Sequence, residues 1–374
     1  MTLSDFPNEM PAINLDFRNS KQLDPRITFR RESDASPPVP SPGTGNHNGE
    51  VYLYPGNVPR LTDQGLLIEE SRRNLIEDSA FQDSNFWQAS NASPTYNSAI
   101  APDGTTTAVL LPAGNNSIYT TINVTTNSTF SVWVKSAAEG VHGTSRIYCS
   151  VSAGIPEVFT PFTTTDTWQR LSVTRTGSGS ATVYCQIGNW NNNNGPTQDI
   201  LIWGAQLEEG TFPTSYIPTA GSEVTRAADI CSINQFDWIN PTACTWVTTA
   251  GTDINPGYDW SRIIQIDASG GGMYVDARGY WSYSAFGYRE AVTSNYAQPG
   301  TKGAFAYVDQ NIRAAQDGAF APLDTTTTGV NHGTITEFSI GSDGGVNKFL
   351  NGYISRISYY PTRLPDDTLE ALTS

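Results

Sequence analysis

The sequence predicts an all-β protein: two β-sandwiches in series behind an extended N-terminal arm. Three observations carry that expectation. Its 374 residues are 38% hydrophobic and only 15% charged, with 33 glycines, a mixture that suits pleated half-buried surfaces and tight turns better than helices. Short runs place apolar residues at every second position, the period of a strand. Clusters of Gly, Ser, Thr and Asn separate those runs as turns would. The length is sufficient for two or three hydrophobic cores.

Residues 1–73 read as the arm. Ile13–Phe17 and Asp24–Ser33 are strand-like, but Ser36–Gly49 (SPPVPSPGTGNHNG) holds too much Pro and Gly for a helix or a central strand. Such an arm gains order by lying on its own body or on a neighbouring subunit. Its end, Gly65–Ile76 (GLLIEESRRNLI), combines apolar residues with an acidic and a basic pair. Leu66, Leu67, Ile68, Leu75 and Ile76 are expected to dock the arm onto the first sandwich. Glu69, Glu70, Arg72 and Arg73 are expected near the surface as an assembly contact.

Residues 74–222 carry the clearest strands. In Thr129–Lys135, Phe130, Val132 and Val134 share one face while Trp133 takes the other. Ile147, Cys149 and Val151 alternate with Arg146, Tyr148 and Ser150, and Val183, Cys185 and Ile187 repeat the pattern. Leu171 and Val173 supply a further strand. Asp199–Leu207 is apolar on both faces, as the central strand of a sandwich or jelly roll would be. After a boundary near 219–228, residues 223–374 hold a second set of strand-like runs. They end in a short helix over Pro365–Thr373, capped by Asp366 or Asp367 and burying Leu369 and Leu372.

A formal net charge of −15 argues against nucleic-acid binding, since it repels phosphate. The four cysteines, Cys149, Cys185, Cys231 and Cys244, form no C-x-x-C pair, so a zinc or redox site is not expected. Cys149 and Cys185 read as small buried hydrophobes, with a cross-strand disulfide left open. The start, Met1–Asp5, has neither the basic residues nor the apolar run of a signal peptide, and no segment has transmembrane length. Synthesis as a soluble chain in a cytoplasm, without membrane insertion, is the expectation.

Several phrases resemble structural and tail-fibre-like proteins of tailed bacteriophages. They are INLDFRNSKQLDPRITFRRES near the start, GLLIEESRRNLI, NFWQASNASP at Asn85–Pro94 and APDGTTTAVLL at Ala101–Leu111. Ile202–Asp229 is similar to the end of a carbohydrate-binding-module-like jelly roll of phage appendages. KFLNGYISRISYYPTRLPDDTLEALT is similar to the last strand and helix of a concanavalin A-like (laminin-G-like) sandwich. The resemblance implies a virion protein made in the host cytoplasm, a homotrimer touching other virion proteins. It would be a tail fibre or appendage contacting host surface glycans. A capsid decoration or cement protein, and a polysaccharide depolymerase, are the alternatives.

Chemistry is sparse. His47, His142 and His332 lie in Gly/Asn/Thr-rich contexts without a G-x-S-x-G motif. Glycoside hydrolysis needs two carboxylates facing one bond, and the adjacent pairs Glu69-Glu70 and Glu208-Glu209 would face opposite sides of a strand. No enzyme activity, metal or cofactor is therefore expected; a calcium ion at Asp343 would lack the spacing of a calcium loop. Glycan binding fits better, because sugar C–H faces stack on aromatic rings while amides read hydroxyls. Trp190 with Asn191 and Asn193 forms one such cluster, and Trp281 with Tyr283 a second. The bland alternative is that these rings fill the core or a subunit contact.

Overall fold

The alternating runs between residues 88 and 209 pair into two five-stranded antiparallel sheets in the computed structural model of the chain. The structure describes residues 9–20, 22–36, 51, 53–151, 158–188, 194–252, 261–268, 273–276, 280–283, 288–291, 300–329, 331 and 333–374; for 268, 273–276, 280–283 and 288–291 it describes the main chain alone. Two compact units result. The central unit comprises Ser33–Pro55 and Ser71–Ala227, and the C-terminal unit comprises Met1–Glu32, Gly56–Glu70 and Ala228–Ser374.

In the central unit one sheet runs, in spatial order, through Gln169–Arg175, Ser128–Ser136, Ile200–Glu209, Ala108–Leu111 and Thr95–Ala99. The other runs through Phe159–Thr163, Thr144–Val151, Ala181–Ile187, Ser117–Val124 and Gln88–Ser90. The core between them takes Phe130, Val132, Val134, Ile202 and Leu207 from the first sheet, and Ile118, Ile147, Cys149, Val183, Cys185 and Ile187 from the second. Trp133 faces the opposite way, as its parity requires, and packs with Trp203, Tyr216, Val51 and Ala101. Ile200–Glu209 is buried along nearly its whole length, as a central strand apolar on both faces should be. Cys149 and Cys185 stand directly opposite one another in register, both buried and both free thiols.

The C-terminal unit is a second sandwich, of an eight-stranded and a seven-stranded sheet. Trp246 lies at its centre, 4.6 Å from the Tyr359 ring and 5.5 Å from that of Phe338. The helix Asp366–Thr373 lays Leu369 on Ala304, Ala306 and Tyr360. Pro365 occupies its N-cap position without a side-chain bond. Asp366 and Asp367 sit in the first turn instead of capping it.

The division differs from the expected series of arm, 74–222 and 223–374. The described residues among 1–73 form no separate arm. Ile13–Asp16 pairs with Arg356–Tyr359, and Leu66–Ile68 pairs with Gly352–Ile354, so both extend the same C-terminal strand along one edge. Ile27–Arg30 pairs with Ile230–Ile233 in the other sheet. The physical reason is burial: Ile13, Leu15, Phe17, Leu66 and Ile68 enter the C-terminal core, each stabilising by about 1.5–3 kcal/mol if fully desolvated. Gly65 permits the close approach, because at φ +123° a β-carbon there would stand 2.2 Å from the Ile354 carbonyl oxygen.

The docking fragment is correspondingly split. Leu66 and Ile68 belong to the C-terminal core, and Ile76 to the central one. Two of its four charged residues, expected near the surface, are buried. Glu69 is 2% exposed and accepts from Arg60 Nη1 at 2.6 Å. Arg72 is 9% exposed, lies 4.6 Å over the Phe212 ring and donates to the Glu209 carbonyl. Arg73 remains exposed, paired with Glu223, and Glu70 exchanges hydrogen bonds with Asn351.

Candidate functional site

Strand parity in the second sheet of the central unit dictates what its outer face presents. Because Ile147 and Cys149 point inward, Arg146, Tyr148 and Ser150 point outward; Tyr184 and Gln186 follow for the same reason on the next strand. Register then aligns the strands: Phe159 faces Tyr148, Tyr148 faces Gln186, Gln186 faces Tyr119, and Tyr119 faces Gln88. One cross-strand row thus carries three aromatic rings and two amides over five strands.

The rings are set close together. Phe159 lies 5.7 Å from Tyr148, and Tyr119 lies 5.9 Å from Tyr184 in the neighbouring row. Phe159 and Gln88 are exposed, Tyr119, Tyr184 and Gln186 half-buried, and Tyr148 buried beneath. The Gln186 side-chain amide donates to the Gly188 carbonyl at 2.7 Å, which fixes its orientation and leaves its oxygen as an acceptor. The outer face of the other sheet differs: there Tyr216, Val51 and Ala101 cover the tryptophans.

A cleft of about 490 Å³ opens beside this row, lined among others by Thr144, Arg146, Pro161, Thr163, Asn194 and Thr197, a size suited to a small ligand. Its walls are tied together before anything binds. Thr144 N–H donates to Thr197 Oγ1 at 2.8 Å, Thr197 N–H donates to the Thr144 carbonyl at 3.1 Å, and Ser145 Oγ donates to the Asn194 carbonyl at 3.2 Å. Gly195 permits that wall, since a β-carbon there would meet the Gly114 carbonyl oxygen at 2.0 Å. The Arg146 guanidinium lies 4.2 Å over the Phe159 ring, a cation–π contact.

A second cleft of about 450 Å³ lies in the C-terminal unit. Register aligns Asp16, Arg356, Thr249 and Lys302 across its floor. Arg356 stands 3.8 Å from Asp16, and Lys302 donates to the main-chain oxygen of Ser374. Among the described residues no group of three or more His, Cys, Asp or Glu is placed to hold a metal ion. Burial pushes the Asp78 carboxyl up, but it accepts the Asp83 N–H at 2.6 Å and serves a turn.

Of the glycan-contact residues expected from sequence, Trp190, Asn191 and Asn193 lie outside the described residues, immediately before Asn194 of the cleft wall. Trp281 and Tyr283 fall on the strand Tyr280–Tyr283, paired on both sides, with only its main chain described. Sequence reasoning missed Tyr119, Phe159, Tyr184 and Gln186. The alternation that placed Tyr148 outward was a local signal for this face, but assembling the row needed register between distant strands.

No family model matches the chain, and no curated protein matches it. Among solved structures it is similar to the CBM40 module of the Ruminococcus gnavus IT-sialidase bound to α2,3-sialyllactose, at 14% identity over 36% of this chain and 84% of that one, with a TM-score of 0.27. It is also similar to the tandem CBM22 modules of Paenibacillus barcinonensis Xyn10C, at 8% identity over 78% and 97%, TM-score 0.26. A third similarity is to a sialidase of Trypanosoma rangeli, at 20% identity over 35% and 22%, TM-score 0.27.

Proposed function

We propose that this protein is a non-enzymatic component of a bacteriophage virion, a tail fibre or similar appendage, whose central unit holds host surface glycans. The observation that carries the glycan reading is the row Phe159, Tyr148, Gln186, Tyr119 and Gln88 beside a polar cleft. A sugar ring offers apolar C–H faces to Phe159 and Tyr119 while Gln186, Gln88 and the cleft threonines meet its hydroxyls. The virion setting and the homotrimer rest on the resemblance of the sequence phrases to phage appendage proteins.

The test is adsorption of virions, and glycan binding by the isolated protein, with Tyr119→Ala, Phe159→Ala and Gln186→Ala. Losing one stacked ring should cost about 1–1.5 kcal/mol, roughly a tenfold weakening. Unchanged binding in all three variants refutes the site. Counting copies per virion separates the appendage from a decoration protein, which would match the capsid lattice in number and whose loss would let heated heads leak DNA. Release of reducing ends from host polysaccharide would replace the non-enzymatic reading with a depolymerase.

A further inference from the structure

We infer that the cleft takes an acidic glycan, one whose sugars carry an oxyanion, and that Arg146 is the residue that selects it. This deepens the glycan reading and rests on it.

In the central unit Arg72 donates to the Glu209 carbonyl, Arg73 pairs with Glu223, and Arg170 donates to the Thr214 carbonyl at 2.6 Å. Arg175 donates to the Thr126 carbonyl at 3.2 Å and Arg226 to the Ala227 carbonyl at 3.1 Å. Arg146 is the exception. Among the described residues its guanidinium has the Phe159 ring beneath it and no hydrogen-bond acceptor or ion-pair partner. A guanidinium presents five N–H donors in a planar fork that fits a carboxylate or phosphate two bonds at a time. The ring braces that fork from one side, which reduces the side-chain freedom left to lose on binding.

The surroundings agree with this role. The lining offers hydroxyls and main-chain groups, with no carboxylate among its residues. Arg146 therefore brings a lone positive charge to a preformed cleft in a chain whose formal net charge is −15. A neutral sugar would leave that cation unmatched, whereas a uronate or phosphodiester would supply the missing acceptors. The second cleft contrasts with it, since Asp16 already faces Arg356 there.

The test uses the full-length protein against a panel of bacterial polysaccharides: neutral, carboxylate-bearing and phosphodiester-bearing. Each carboxylate-bearing polymer is also supplied in its carboxyl-reduced form, and the phosphodiester arm is teichoic acid. Binding is expected to the acidic members. Losing a charged hydrogen-bond donor typically weakens binding by about tenfold or more. Arg146→Gln should therefore weaken acidic binding by at least that factor and any neutral binding by less than about twofold, with Arg146→Lys in between. Loss on carboxyl reduction assigns the oxyanion to a carboxylate, and retention of teichoic acid assigns it to phosphate. Binding to neutral members alone, or acidic binding indifferent to Arg146→Gln, overturns the inference and leaves the glycan reading standing. Binding to no member overturns both. Arg146 faces outward, so near-ultraviolet circular dichroism of each variant should match the parent, confirming that folding is not the cause.

Discussion

Replacing Asp229 with asparagine tests the account of how the C-terminal unit is held together. Asp229 is fully buried, as are Arg31 and Arg60. It accepts from Arg31 Nη1 at 3.1 Å, from Arg60, and from the Glu69 N–H at 2.9 Å. Its own N–H returns a bond to the Glu69 carbonyl at 2.9 Å. Burial alone would lower the Arg60 pKa, but Asp229 and Glu69 outweigh it and hold the group above its ordinary value. Asp229→Asn keeps the shape and removes the negative charge that both Arg31 and Arg60 face. Breaking such a buried pair from one side costs about 3–5 kcal/mol, against a typical domain stability of about 5–15 kcal/mol. Guanidinium denaturation should give an unfolding free energy of the C-terminal unit lower by that amount, with a correspondingly earlier midpoint. Hydrogen exchange should show lost protection in Ile13–Asp16 and Gly65–Ile68. A cost under about 1 kcal/mol would mean the network is not a closed buried cluster, and would refute the reasoning.

Two further outcomes follow from burial. Desolvation pushes the thiols of Cys149, Cys185, Cys231 and Cys244 upward, so at pH 8 the native protein should resist iodoacetamide while the denatured chain takes up four equivalents; native alkylation at free-thiol rates would contradict this. Arg72→Ala should cost about 1–3 kcal/mol of stability by orphaning a buried acceptor and uncovering Phe212. Arg73→Ala, at an exposed pair, should cost about 0–1 kcal/mol. Under the proposed virion role, normal incorporation of Arg73→Glu would remove Arg73 from any assembly contact.

The strands were legible wherever one face meets the core. Phe130, Val132 and Val134 against Trp133, and Ile147 and Cys149 against Tyr148, are sorted by a local two-residue period that needs no tertiary knowledge. The partition was not legible. Nothing within GLLI says that its partner is Gly352–Ile354, because pairing energy depends on which distant edge is vacant. The charge pairs misled for a related reason: Glu69 and Arg72 look solvated until Arg60, Asp229 and the Glu209 carbonyl, all remote or irregular in spacing, are brought to them. The candidate site was readable as an outward Arg146 and Tyr148, yet not as a row.

The strand Gly352–Tyr360 receives Ile13–Asp16 and Leu66–Ile68 along one edge, and this orders events during synthesis. Both early segments leave the ribosome with their core faces bare and wait for a partner encoded near the other end of the chain. Contacts of such separation form slowly, and unpaired strand edges are prone to association meanwhile. The central unit, whose longest segment Ser71–Ala227 is contiguous, can begin to fold during that wait. Yield at expression should therefore respond to temperature and chaperone supply through the C-terminal unit. Removing residues 1–73 takes away strands that both sheets of the C-terminal unit include, so it should give aggregates instead of a trimmed fold.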